Sequence, residues 1–125
     1  MNVLAQAVTN EFGLHIYAVQ LLELFHAPGV VFFHCPNGEF RSKRTAARLK
    51  RMGVRKGVAD LCLVLPDGKA AFLELKSSSG RQSPDQRAFH SEVTASGGLY
   101  GVANSPESVR AILGEWGAVD DGVGA

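Results

Sequence analysis

Residues 57–76 read GVADLCLVLPDGKAAFLELK, and the fold turns on this stretch. Two apolar runs, Val58 to Leu65 and Lys69 to Lys76, flank Pro66-Asp67-Gly68. Each of those middle residues forms turns for its own reason: Pro presets φ, Asp bonds its own backbone, and Gly accepts a left-handed conformation. The stretch predicts two antiparallel strands joined by a three-residue loop, a type I turn closed by a left-handed glycine. Such a loop pairs Leu65 with Lys69. Counting back along both strands, Asp60 stands opposite Glu74. Side chains alternate faces along a strand, so Lys76 shares the face of Glu74, while Leu73 and Leu75 point the other way.

Carboxylates facing each other across a ladder repel, at a cost of roughly 0.2–1 kcal/mol. A divalent cation would offset that cost, because Mg²⁺ takes oxygen ligands from one or two carboxylates and fills its other positions with water and phosphate. The metal would polarise a phosphate and lower the pKa of an attacking water. The Lys76 ammonium would orient or deprotonate that water, or steady the charge building on the phosphate. Asp60, Glu74 and Lys76 therefore contain the minimum parts for phosphodiester hydrolysis, expected at the open edge of a small mixed sheet. A competing reading makes Asp60 a strand cap and leaves Glu74 and Lys76 solvated on an edge strand. It accounts poorly for Val58, Leu61, Leu63, Phe72, Leu73 and Leu75, which surround the charges with apolar material.

Upstream, Asn10 caps a helix predicted over Glu11 to His26, with Leu14, Tyr17, Ala18, Leu21, Leu22 and Phe25 at helical spacing and Pro28-Gly29 as its stop. Phe12, Ile16, Val19 and Leu24 make the helix apolar on a second side, which implies deep burial or a partner subunit. Val30 to Phe33 reads as a short buried strand and 34–38 as a loop. Ser42 caps a second helix to about Met52, ended by Gly53, with Leu49 and Met52 on its inner side. Downstream, Ser83-Pro84-Asp85-Gln86 opens a third helix as a capping box with Pro at the first position, and Gly97-Gly98 closes it. Leu99 to Ala103 is a strand. Ser105-Pro106-Glu107 starts a last helix that carries Val109, Ile112, Leu113 and Trp116 inward. The Gly-rich tail beyond Gly117 is expected to fray.

The charge distribution says more than the net charge of +1. Of 13 Lys and Arg residues, eight fall between Arg41 and Lys56, a span with no Asp or Glu. They are Arg41, Lys43, Arg44, Arg48, Lys50, Arg51, Arg55 and Lys56. A localised basic patch on a nearly neutral chain is a footprint for a polyanion. Arg44, Arg48, Arg51 and Arg55 follow helical spacing, although Arg55 lies beyond the Gly53 stop. Such a stripe tracks a phosphate backbone and reads no base sequence. Arg81 and Arg87 flank the expected site, and Asn37 and Gly38 form a turn placed to touch DNA.

The chain of 125 residues is read as one domain, with a core from about residue 11 to 116. The hydrophobic fraction of 46% supplies one core, and no apolar run reaches membrane-spanning length. The opening MNVLAQAV lacks the features of a secretory signal. Cys35 and Cys62 show neither metal-type nor disulfide-type spacing, which fits a reducing, cytoplasmic setting. His15, His34 and His90 add no paired spacing for zinc.

Gly57-Val58-Ala59-Asp60-Leu61, then Phe72-Leu73-Glu74-Leu75-Lys76, then Ser83-Pro84-Asp85-Gln86 resembles the VRR-NUC nucleases of the PD-(D/E)XK superfamily. Pro36-Asn37-Gly38 and Gly53-Val54-Arg55-Lys56-Gly57 fit the same pattern, and the likeness runs from about Glu11 to Trp116. The resemblance implies an α/β restriction-endonuclease-like core of order αβββαβ. It implies that Asp60 and Glu74 hold Mg²⁺ or Mn²⁺, with the Leu75 carbonyl as a further ligand and Lys76 as the catalytic amine. It matches Glu11 to the acidic residue that opens the first helix, a further metal ligand, and Gln86 to the glutamine of the later helix, both lining the site. Against this, Glu11 is favourable at a helix N-terminus without any metal, and Gln86 can serve only the capping box. The family usually has Pro before the metal-binding Asp, where this chain has Ala59; that loses a backbone restraint and no ligand. Stand-alone members imply a homodimer cutting branched DNA such as four-way junctions. Two alternatives stay open: a non-catalytic DNA-binding module of the same fold, and a monomeric flap or nick nuclease.

Overall fold

The computed structural model describes residues 10–36 and 42–120. Asn37, Gly38 and Arg41, expected at the nucleic acid, lie outside the described residues, as do 121–125 of the tail. The described residues form α1 (Glu11–Phe25), β1 (Val31–His34), α2 (Lys43–Arg51), β2 (Leu61–Val64), β3 (Ala70–Leu75), α3 (Pro84–Ala95), β4 (Leu99–Ala103) and α4 (Pro106–Glu115). The order is the αβββαβ core with α2 inserted between β1 and β2 and α4 appended. The sheet runs β1-β2-β3-β4, antiparallel except for the β3–β4 pair, which α3 connects.

Local chemistry sets most element starts. The side chains of Asn10, Ser42, Ser83 and Ser105 each accept a backbone N–H of the first helical turn, satisfying a donor the helix itself leaves free. The β2–β3 loop closes as its residues dictate. The Gly68 N–H donates to the Leu65 carbonyl at 2.7 Å and the Leu65 N–H to the Lys69 carbonyl at 2.9 Å. Gly68 takes φ 86°, the left-handed region. The register that follows pairs Leu63 with Ala71 and Leu61 with Leu73.

One sheet face carries Leu61, Leu63, Ala71, Leu73, Leu75 and Ala103 against α1 and α4, where Leu14, Tyr17, Ala18, Leu21, Leu22, Val109 and Leu113 close the core. A fully buried leucine contributes roughly 1.5–3 kcal/mol, so this layer is the main source of stability. Arg110 ties α4 to α1 through the Tyr17 hydroxyl at 2.5 Å. On the other face α3 covers β3 and β4. There Phe89 meets Phe72 and Tyr100 edge-on, and His90 stacks on Tyr100 with centroids 4.0 Å apart.

Four expectations need correcting. β1 is not buried: it is the outer strand, with Val31 57% and Phe33 50% exposed on a face that no helix among the described residues covers. Met52 is not on the inner side of α2 but 70% exposed, and α2 buries no residue fully. The tail is ordered further than expected: Ala118 and Val119 are buried, and the Ala118 carbonyl accepts the Ala27 N–H at 2.8 Å. Glu74, finally, lies on an inner strand rather than an edge. Among the described residues no helix is long and apolar enough to cross a membrane.

Candidate active site

Glu74 is the only charged residue among the buried ones described, at 0% exposure. The solvated edge-strand reading therefore fails for it. Its Oε1 accepts from the Tyr100 hydroxyl at 2.5 Å and from Gln82 Nε2 at 3.1 Å. Its Oε2 has no hydrogen-bond partner among the described residues. The nearest cation is Lys76 Nζ, 3.8 Å from Oε2, on a side chain only 12% exposed. The turn over Ser77–Gly80, closed by the Gly80 N–H on the Ser77 carbonyl, folds back towards the lysine stem.

Asp60 reaches the same place from the neighbouring strand. It precedes β2, and continuing the observed register by one step sets it opposite Glu74. Its Oδ2 accepts the Leu75 N–H at 2.8 Å. A strand residue sends its N–H and C=O to the same neighbour, so the Leu75 carbonyl also faces the Asp60 side. From the other flank, the Asp60 carbonyl accepts the Cys35 N–H at 3.1 Å and His34 Nδ1 at 2.8 Å. His15 meets His34 edge-on with centroids 4.6 Å apart. Burial, reinforced by the neighbouring His34 and opposed by Asp60, holds the His15 imidazole below its ordinary pKa.

The approach to Asp60 is braced against α3. Gly57 takes φ 83°, and a Cβ there would lie 2.5 Å from the Asp85 carbonyl. In the first turn of α3, Gln86 completes the capping box, its Oε1 accepting the Ser83 N–H at 2.8 Å. The glutamine that touches Glu74 is Gln82, just before the helix, and Arg87 holds the Gln82 carbonyl at 2.8 Å. Burial first, and then the Glu74 carboxylate, raise the Tyr100 hydroxyl well above its ordinary pKa.

The structure thus gathers Asp60, Glu74, Leu75 and Lys76. It does not bring Glu11 to them: Glu11 is exposed at the start of α1, and no three His, Cys, Asp or Glu side chains among the described residues form a metal-binding group. A site built here has two carboxylates and a carbonyl, an all-oxygen set suited to a hard cation. The unpartnered Glu74 Oε2 fits such a cation, since an unsatisfied buried oxygen otherwise costs about 1–3 kcal/mol. Sequence reasoning missed Gln82, Tyr100, His90, His34 and His15 as neighbours of this pair. The parallel β3–β4 pairing that delivers Tyr100 carries no turn signal to count from.

The basic residues divide. Lys43, Arg44, Arg48, Lys50 and Arg51 lie along exposed α2, and none makes an ion pair with a described residue. Arg44, Arg48 and Arg51, with Ala47 and Met52, line a shallow open depression. Lys56 is exposed beyond the helix. Arg55 departs from the expected stripe: it makes a two-pronged ion pair with Glu92 and sits 5.1 Å over the Phe89 ring. That pairing raises the Arg55 pKa and lowers that of Glu92.

The family model described as VRR-NUC domain matches residues 17–107. Solved structures share the fold, among them two VRR_NUC domain chains. One, described as a VRR_NUC domain protein, superposes with a TM-score of 0.70 at 18% identity, covering 86% of this chain and 87% of that one. Another, described as a VRR_NUC domain, gives a TM-score of 0.60 at 23% identity over 87% of this chain and 99% of that one. No curated protein matches the sequence.

Proposed function

The chain belongs to the VRR-NUC family of nuclease domains, and from that membership we propose that it is a Mg²⁺- or Mn²⁺-dependent DNA endonuclease, acting as a homodimer on branched substrates such as four-way junctions. One observation carries the reading: a fully buried carboxylate oxygen, Glu74 Oε2, has no hydrogen-bond donor among the described residues, with Lys76 Nζ 3.8 Å away and the Asp60 carboxylate held on the N–H of the next residue, Leu75. Asp60, Glu74 and the Leu75 carbonyl would hold the cation, which when bound polarises the phosphate and acidifies the attacking water. Lys76 stands beside the scissile phosphate and stabilises the charge developed during displacement. Exposed Arg44, Arg48 and Arg51, with Lys43, Lys50 and Lys56, track the DNA backbone. Glu11 and Gln86 act from the rim of the site: Glu11 stands one helical turn before His15, and Gln86 holds the loop that carries Gln82.

Exposed Phe12 and Leu24 on α1, and Val31 and Phe33 on β1, are apolar surface that supports a second subunit. A two-fold pair would set two sites on a symmetric junction. The cytoplasmic setting is proposed from the sequence spacing of Cys35 and Cys62, which is neither metal-type nor disulfide-type.

The test incubates labelled four-way junction and plain duplex with Mg²⁺ or Mn²⁺, comparing wild type with Asp60→Ala and Lys76→Ala, alongside a solution mass. Metal-dependent cutting of the junction in preference to duplex, lost in both variants with binding retained, is the expected result. Cleavage surviving both substitutions rejects the site. Binding without cleavage under either metal assigns the chain to a non-catalytic DNA-binding role, and a monomer that cuts flaps or nicks overturns the junction assignment.

A further inference from the structure

The two oxygens of Glu74 are treated unequally. A carboxylate oxygen has two lone pairs, and Oε1 has both filled: the Tyr100 hydroxyl gives its single proton at 2.5 Å and Gln82 gives one amide hydrogen at 3.1 Å. Oε2, equally buried, receives none. The second Gln82 hydrogen goes to His90 Nδ1 at 3.2 Å, which makes that nitrogen the acceptor and leaves the His90 proton on Nε2. His90 lies nearly parallel to the Tyr100 ring, 12° between planes, and Phe89 closes on that ring at 69°. Arg87 anchors the Gln82 backbone. Both hydrogen bonds to Glu74 are therefore fixed in direction and converge on Oε1, while among the described residues Oε2 faces only the Lys76 ammonium at 3.8 Å, beyond hydrogen-bond reach.

A carboxylate buried only for structural reasons is best served by donors on both oxygens, because an unsatisfied buried acceptor costs about 1–3 kcal/mol. Doubling the donors on Oε1 leaves that cost in place and prevents the carboxylate from rotating to share them. We propose that Tyr100 and Gln82 are positioning residues that clamp Glu74 through Oε1 and so commit Oε2 to a divalent cation. His90 supports the clamp by accepting the spare Gln82 hydrogen and stacking on the Tyr100 ring. The inference rests on the metal-nuclease reading and adds to it a set of residues that touch neither metal nor DNA. It also accounts for the placement of Gln82 on the loop between Lys76 and α3, and for the parallel register that sets Tyr100 beside Phe72, one side-chain step before Glu74 on its face.

The test titrates Mn²⁺ alone into the full chain by calorimetry, with no DNA present. Tyr100→Phe removes one hydroxyl and keeps the ring against His90 and Phe89. Gln82→Ala removes the second donor from a loop and serves if the tyrosine variant folds poorly. Outer partners of a metal ligand typically contribute 10–100-fold in affinity, so each variant should weaken Mn²⁺ binding by about tenfold or more. Cleavage should recover towards wild type at saturating Mn²⁺, a split that a general packing defect would not give. If wild type binds Mn²⁺, Glu74→Ala abolishes binding, and both clamp variants bind like wild type, the clamp is overturned while the nuclease reading stands. If wild-type binding is absent, or survives loss of Asp60 and Glu74, the metal reading falls and the clamp falls with it.

Discussion

The Asp60 carboxylate accepts the backbone N–H of Leu75 at 2.8 Å, so the residue just before β2 is tied to the far end of β3 by its own side chain. One oxygen of Asp60 thus has a structural duty. Leu75 is 1% exposed, and its N–H would lose its partner if the carboxylate went. Asp60→Ala should therefore cost about 1–3 kcal/mol in urea denaturation, the penalty for an orphaned buried donor. Asp60→Asn keeps an acceptor oxygen there and should stay near wild-type stability, while both variants lose metal binding. Equal destabilisation by the two would refute the structural duty.

Metal binding should be visible as heat stability. At a hundred times its dissociation constant, a ligand specific for the folded state adds about 2.7 kcal/mol. For a chain of this size that is a rise in Tm on the order of 10 °C. Wild type with Mn²⁺ should show the rise, and Glu74→Ala should not. Lys76→Gln should keep the rise and lose roughly 100–1000-fold in cleavage rate, as expected for a group stabilising charge in the transition state. Scanning fluorimetry beside a cleavage assay separates the roles; loss of the rise in Lys76→Gln would make the lysine an organiser of the ligands instead.

The salt dependence of DNA binding should distinguish α2 from its neighbour. Each phosphate contact contributes about 0.9 to the slope of log affinity against log salt on duplex DNA. Arg44→Ala combined with Arg48→Ala should flatten that slope by roughly two contacts' worth. Arg55→Ala should leave it unchanged, because Arg55 is occupied by Glu92 and Phe89. An unaltered slope in the double variant would exclude α2 as the phosphate contact.

Stability should fall in mild acid through His15. Its folded-state pKa lies below the ordinary 6.5, chiefly from burial, so the unfolded chain takes up a proton that the folded chain refuses. The stability is fully present above pH 6.5 and is lost as the pH falls from there towards the folded-state value. Urea midpoints compared at about pH 7.5 and about pH 5.5 should drop more for wild type than for His15→Gln. Equal drops would remove His15 as a source of the acid sensitivity.

The hairpin was legible because its register is local. Pro66, Asp67 and Gly68 fix the loop, the loop fixes Leu65 against Lys69, and Asp60 against Glu74 follows by counting. Helix starts were legible for the same reason, since Asn10, Ser42, Ser83 and Ser105 act within one turn of themselves. Tyr100 was not, because it reaches Glu74 across 26 residues through a parallel pairing that no turn residue encodes. Gln82 and Gln86 are alike in type and close in sequence. Only the capping geometry of Ser83 shows which of them is spent on the helix and which is free to turn towards the carboxylate. Arg55 fitted the basic stripe by spacing, but the chain leaves the helix at Gly53, and Glu92 on α3 is near enough to take it. The exposure of Val31 and Phe33 depends on which strand ends up outermost, a property of the whole sheet and not of four residues.

Gly57 has a consequence for how the site tolerates change. With the Asp85 backbone 2.5 Å from where a Cβ would stand, and with φ at 83°, the position is closed to any side chain. An alanine there would act as a wedge, prising the first turn of α3 away from the segment that leads into Asp60. Asp60 and Gln82 would then separate with no ligand altered. The spacing between the strand half and the helix half of the site is set by a contact the thickness of one hydrogen atom.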